Sequence, residues 1–208
     1  MRIVSYSIDD YMRLVKSFHG NIAPGLIIGG YMVDLAIKNL DEGILFNAIS
    51  ETGSCLPDAI QLLTPCTIGN GWLTIMDFGR FALCLYEKYH GDGIRVSLDY
   101  KKLEDWPEIK TWFFRLKPKT EQDPVMLRDQ IIEAGSDILS IRKVTIEKDL
   151  LPIGKNRGII TMCPDCGEAY PVNDGPVCLA CKGFNPYINF KKSITSKTRP
   201  VLGIVKTR

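Results

Sequence analysis

Histidine is almost missing from this chain: 208 residues hold two, His19 and His90. A site built from several imidazoles is therefore excluded, and any metal must lean on cysteine or carboxylate. An excess of one charge is missing too. Twenty-six Lys+Arg against 24 Asp+Glu leave a formal +2, which exerts no global pull on nucleic acid. Long apolar runs are also missing. The longest, GLIIGGYMVDLAI, contains Asp34 and is too short to span a bilayer. The opening MRIVSYSIDD puts two acids where a secretory signal would begin its apolar stretch, which argues for a cytoplasmic protein. There is no long internal repeat and no low-complexity segment. An apolar share of 45% and a charged share of 24% exclude a disordered chain and a coiled coil.

What is present divides along the chain. Residues 7–19 read as a helix that Ser7 caps, with Tyr11, Leu14, Val15 and Phe18 on one face and Gly20 as the stop. Pro24 suits the first position of a second helix carrying Leu26, Gly30, Val33 and Ile37 on one stripe. Gly29 and Gly30 are costly there unless a neighbour packs closely. A strand at 44–49, a helix from Pro57 through Leu63 and strand-like runs at 72–78, 80–87 and 94–98 follow. Helices are predicted from Pro107 to Leu116 and from Pro124 to Ala134, which Gly135 ends, and a last strand at 138–146. Strands in consecutive runs with clustered helices favour an α+β fold. Composition shifts at Leu151-Pro152-Ile153-Gly154. We therefore expect a core domain over 1–153, a cysteine module over 154–190 and a basic tail over 191–208.

Seven cysteines form an odd set, and four make two pairs: Cys163-Pro164-Asp165-Cys166 and Cys178-Leu179-Ala180-Cys181. The spacing C-x2-C-x11-C-x2-C brings four thiolates to one point and completes a closed tetrahedral site for zinc. Gly167 and Gly183 follow the pairs where a knuckle needs a permissive backbone. A module this small cannot bury a core, so the metal supplies much of its folding free energy. An iron–sulfur cluster and a redox dithiol are the rival readings, and the evenly split pairs favour structural zinc over them, with rubredoxin-like iron the main exception. The tail holds Lys191, Lys192, Lys197, Arg199, Lys206 and Arg208 and no acid, but no stacking aromatics accompany them. A solvated tail is favoured over a nucleic-acid arm.

In the first domain, His19 closes a helix and Cys55 stands at a helix N-terminus, where a thiol's pKa is expected to fall. Cys66 would sit at the opposite end of that helix, and Cys84 in an apolar strand reads as core. Taken singly, His19 and Cys55 are ordinary structural residues.

Their setting lifts them. Ser17-Phe18-His19-Gly20-Asn21-Ile22-Ala23-Pro24-Gly25 resembles the signature F-H-G-H-x-C-P-G of the family of the E subunit of formylmethanofuran dehydrogenase. The run Glu51-Thr52-Gly53-Ser54-Cys55-Leu56-Pro57-Asp58-Ala59-Ile60-Gln61 is similar to the family's E-T-D-x-C-x-x-D-A-I-Q. Cys66 to Gly71 resembles C-T-x-G-K-G, and Asp77-Phe78-Gly79-Arg80 resembles D-Y-G-K. Some members carry a C-terminal four-cysteine finger of treble-clef or zinc-ribbon-like type, matching 163–181.

The resemblance implies a mixed sheet of thioredoxin-like character flanked by helices, and a metal in a cleft held by the signature His and Cys. It implies association with an oxidoreductase complex of methanogens, and no reaction of the subunit itself. The chain departs from the signature at Asn21, Ala23, Gly53 and Asn70, so two ligands are lost. His19 and Cys55, with Cys66 or Asp58 beside them, would form an open zinc site in addition to the finger's. Such a site suits an unknown small substrate of carbonyl or formyl type, with Glu51 or Asp58 as acid/base. The alternatives are a non-catalytic accessory protein, homodimeric through its finger, that delivers metal or cofactor, and, with less support, a nucleic-acid regulator.

Overall fold

The structure is a computed structural model that describes residues 2–147 and 158–187. These form two compact units, one within each range. The expected boundary at 151–154 and the basic tail lie outside the described residues.

The first unit opens with a hairpin of two short strands, β1 (Arg2–Ile3) and β2 (Tyr6–Ser7). Helix α1 (Ile8–His19) follows, with the Ser7 side chain accepting from the Asp10 N–H and Gly20 closing the end at φ 88°. Helix α2 (Pro24–Lys38) is buried on almost every side rather than along one stripe. It lies against the strands β5 (Ala82–Glu87) and β6 (Asp92–Leu98) and is covered by other helices. A helix surrounded in this way must be apolar all round, and GLIIGGYMV is. Its two interior glycines are contact points. A Cβ on Gly29 would meet Ala59 at 2.8 Å, and one on Gly30 would meet the Tyr11 ring at 2.6 Å. The buried Asp34 of α2 accepts the Val4 N–H and the Lys38 ammonium, at 2.7 and 2.6 Å, which ties the hairpin down.

The sheet has five strands in the order β4-β3-β5-β6-β7. Strand β3 (Phe46–Ser50) runs parallel to β4 (Leu73–Ile75), and the other pairs are antiparallel. Helix α3 (Leu56–Leu63) links β3 to β4 as a crossover and packs against both. After β6 the chain makes α4 (Pro107–Phe113) and α5 (Pro124–Ala134) and returns as β7 (Leu139–Thr145). This is the α+β fold with a mixed sheet and flanking helices. Two predicted spans end early. The run at 72–78 pairs as a strand only over Leu73–Ile75, and α4 stops at Phe113 because Arg115 turns to φ 54°.

In the second unit, β8 (Ile160–Met162) and β9 (Ala169–Pro171) form an antiparallel hairpin, followed by a helical turn at Ala180–Phe184. Among the described residues no helix is long and apolar enough to cross a membrane.

Candidate metal centres

The finger's first cysteine pair follows β8. Gly167, at φ 76°, returns its N–H to the Cys163 carbonyl at 2.8 Å. The second pair opens the helical turn, where Gly183 takes φ 106°. The four sulfurs lie within 4.8 Å of one another, with Cys166 and Cys178 at 3.7 Å. Zinc at ~2.3 Å from each sulfur gives a tetrahedron with edges of ~3.8 Å, so the cage fits that ion. The N–H groups of Cys178 and Cys181 point at the sulfurs of Cys163 and Cys178, each at 3.4 Å. Burial opposes ionisation of Cys163, but backbone N–H groups of Cys178, Cys166 and Asp165 converge on it and bring its thiol down to about 6. Cys166 and Cys181 are pushed up instead, so within the cage Cys163 is the sulfur readied for the metal and the others must give up protons as it binds.

The core centre grows from the β3–α3–β4 crossover. Side chains on the loop beyond a strand's carboxyl end are raised above the sheet, a usual place for a ligand. That loop carries Glu51 to Cys55. Cys55 is the N-cap of α3 at φ 59°, a strained angle for a non-glycine residue. Its sulfur rests on the start of α2, where a Cβ on Gly25 would come within 2.9 Å of it. Gly25 is therefore needed to admit the thiol. His19, at the end of α1, reaches the same end of α3: its Nδ1 is 2.7 Å from Oδ2 of Asp58. The structure thus brings His19, Asp58 and Cys55 to the N-terminal end of α3.

The Cys55 thiol is not activated as its position suggested. Burial pushes its pKa up, the Asp58 charge adds to that, and Lys119 opposes them. A helix N-terminus contributes only ~0.3–1 kcal/mol, less than the cost of placing a thiolate among apolar groups. Lys119 and the Phe81 ring beside Gly25 were not legible as site residues. Both come from elements far along the chain.

The other expected residues sit elsewhere or are engaged. Cys66 lies beyond the opposite end of α3, about 12 Å of helix from Cys55. It is fully buried, donates to the Phe46 carbonyl at 3.4 Å, and burial raises it to about 11. Cys84 is buried on β5 as expected. Glu51 is buried and grips Arg95 with both oxygens, at 2.6 and 2.8 Å, with Arg80 at 3.8 Å. Both oxygens are thus taken up by the guanidinium. Glu51 also takes the Phe78 and Arg80 N–H groups on its carbonyl, so it fastens the loop that carries Cys55. Among the described residues, three or more His, Cys, Asp or Glu donor atoms converge within 4.8 Å in the finger alone. In the core the close contact is that of His19 with Asp58.

Residues 18–146, more than half of the chain, match the family described as FmdE, molybdenum formylmethanofuran dehydrogenase operon. The chain belongs to the FmdE family. Residues 154–188 match the FmdE treble clef zinc finger, so this is a zinc-finger-bearing FmdE protein and its four-cysteine cage is a structural zinc site. The crystal structure of an FmdE-like protein of the tungsten formylmethanofuran dehydrogenase type, from Syntrophus aciditrophicus, is 52% identical, with a TM-score of 0.82. The match covers 90% of this FmdE chain and 98% of that one. A curated protein of Archaeoglobus fulgidus, described as a probable S-adenosyl-L-methionine-binding protein, is 29% identical over 194 residues. The match takes in 81% of this chain and 51% of that relative, so the chain spans about half the relative's length.

Proposed function

We propose that this FmdE protein binds a second divalent metal, zinc, through His19 and Cys55 and presents it to a small carbonyl- or formyl-type ligand. The observation that supports the reading is that His19 pairs with Asp58 in the first turn of α3, the helix that Cys55 caps, on the loop beyond β3. Asn21 and Ala23 stand where the signature has ligands, so the remaining coordination positions are open. A bound metal would polarise a carbonyl or ionise a water. The chain's own residues bind and orient: His19 and Cys55 as ligands, Glu51 as the tie of the Cys55 loop, and Asp58 as the carboxylate nearest the imidazole. The seven cysteines include no disulfide, which suits a reducing cytoplasm.

Metal per chain, measured on the wild type and on Cys55→Ser, tests this. Two zinc ions falling to one support it. One in both leaves only the finger and overturns it.

A second reading has its own support, since among the described residues no three donor atoms converge in the core, where a firm site needs three or four. In it the protein is a non-catalytic accessory of a formylmethanofuran dehydrogenase or a related oxidoreductase. The core would deliver metal or a cofactor such as S-adenosyl-L-methionine, and the finger would assemble a homodimer. The division into core 1–153, finger 154–190 and basic tail 191–208 belongs to this reading as well. A strictly monomeric chain in sizing and scattering measurements counts against it.

A further inference from the structure

We propose that Asp58 is a positioning residue: it holds the His19 proton on Nδ1, so that Nε2 is the atom His19 offers to a ligand. The inference deepens the core-site reading above, from which it takes the importance of His19.

An imidazole has two nitrogens. In the neutral ring one carries the proton and the other a lone pair, and the hydrogen bond made by one decides which. A carboxylate cannot donate. Its 2.7 Å contact with Nδ1 therefore places the proton there and the lone pair on Nε2. Both side chains are about two-thirds shielded from solvent, at 28% and 31% exposure, so the contact is not dissolved by competing water.

The fold supports the pairing from both sides. His19 ends α1, and Gly20 turns the chain away immediately, leaving the ring on the last turn of the helix. Asp58 is in the first turn of α3, and α1 packs directly on α3. Two helix ends are thus fixed against each other and the ring is clamped between them. Side chains of this kind that orient a ligating histidine are a recurring second layer around metals.

This assignment separates Asp58 from two other roles. As a metal ligand it would have to give an oxygen to the ion, whereas Oδ2 is given to the imidazole. As a general acid/base it would trade a proton with the imidazole rather than with a substrate.

Nitrogen-15 imidazole spectra of the full chain, taken at alkaline pH where the rings are neutral, read the tautomer directly. The chain has only two histidines, and His90→Gln assigns the pair. The expected result is an Nδ1–H, bare-Nε2 ring for His19, shifting toward the Nε2–H form in Asp58→Asn. An Nε2–H ring in the wild type overturns the proposal, and so does a tautomer unchanged by Asp58→Asn. The wild-type spectrum decides even where the variant fails to fold. Neither result depends on a core metal: a fixed tautomer with one zinc per chain overturns the metal reading and leaves Asp58 its role. Where the core does bind metal, chelator competition is expected to show Asp58→Asn weakening it ~10–100-fold, with partial rescue by Asp58→Glu. A loss as complete as in His19→Ala would make Asp58 a ligand and overturn the proposal.

Discussion

In the finger, four sulfurs converge on one point while little that is apolar is buried among the described residues, the buried set there being Cys163, Tyr170 and Cys178. In the core, His19 and Cys55 are placed by a continuous apolar cluster that runs from Ile3 to Leu139 and needs no ion. Ligand number and packing are thus traded against each other. Where the chain cannot bury enough surface, it collects a full set of donors and the metal becomes part of the fold. Where packing already fixes the backbone, no ion is needed to hold the residues in place. Ionisation does not follow the same line: backbone N–H groups outweigh burial at Cys163 and draw it down, whereas Cys166 and Cys181 in the finger are pushed up, as burial and Asp58 push Cys55 up in the core.

The contrast is broken most severely at the finger. Cys163→Ser, or exhaustive chelation, should remove the zinc and unfold residues 158–187, since structural zinc is worth about 10–16 kcal/mol to such a module. Amide exchange should show β8 and β9 unprotected while α2 and β5 keep their protection. Persistent protection of β8–β9 without metal would erase the distinction. In the core the largest single loss should come from Glu51→Ala, which leaves the partly buried Arg95 without its partner and should cost about 2–3 kcal/mol in urea unfolding. A loss below about 1 kcal/mol would mean that Glu51 is not the tie inferred for it. Gly30→Ala should cost about 1–3 kcal/mol, because the new methyl would press on the Tyr11 ring. Neither core variant should change the finger's zinc.

The smallest effect is one of pH. Burial raises the Cys66 and Cys84 thiols from 9.0 to about 11 and about 12. The folded core therefore holds these protons more tightly than the unfolded chain does. The stability they confer is complete well below pH 9 and is lost as pH rises through 9 and on through those two values. Between pH 8 and pH 9 the core should lose roughly 0.5–1 kcal/mol, a dependence that Cys66→Val should reduce.

Legibility in the sequence followed locality. Ser7, Gly20, Pro24, Pro57, Pro124 and Gly135 marked helix ends that the structure keeps to within a residue. The finger could be read because its ligands are neighbours along the chain. The hairpin β1–β2 could not, since two-residue strands carry no periodicity. Nor could the partner of Glu51, which lies 44 positions away, and Asp58, 39 positions from His19, came beside it only through the family resemblance. The state of the Cys55 thiol was misjudged for a related reason. Helix position is visible in a sequence, whereas desolvation is set by what the rest of the chain brings close.

The path of the chain between β6 and β7 bears on how the molecule is made. Strands β5 and β6 meet across a short turn, so their pairing closes quickly, but β7 must wait for α4 and α5 to be traversed and docked. Strand β7 is therefore expected to join last, leaving the edge of β6 bare for most of the refolding time. A bare edge of that kind recruits other chains. Pulse-labelled exchange during refolding should find the β7 amides protected after those of β5, and refolding yield should fall as protein concentration rises.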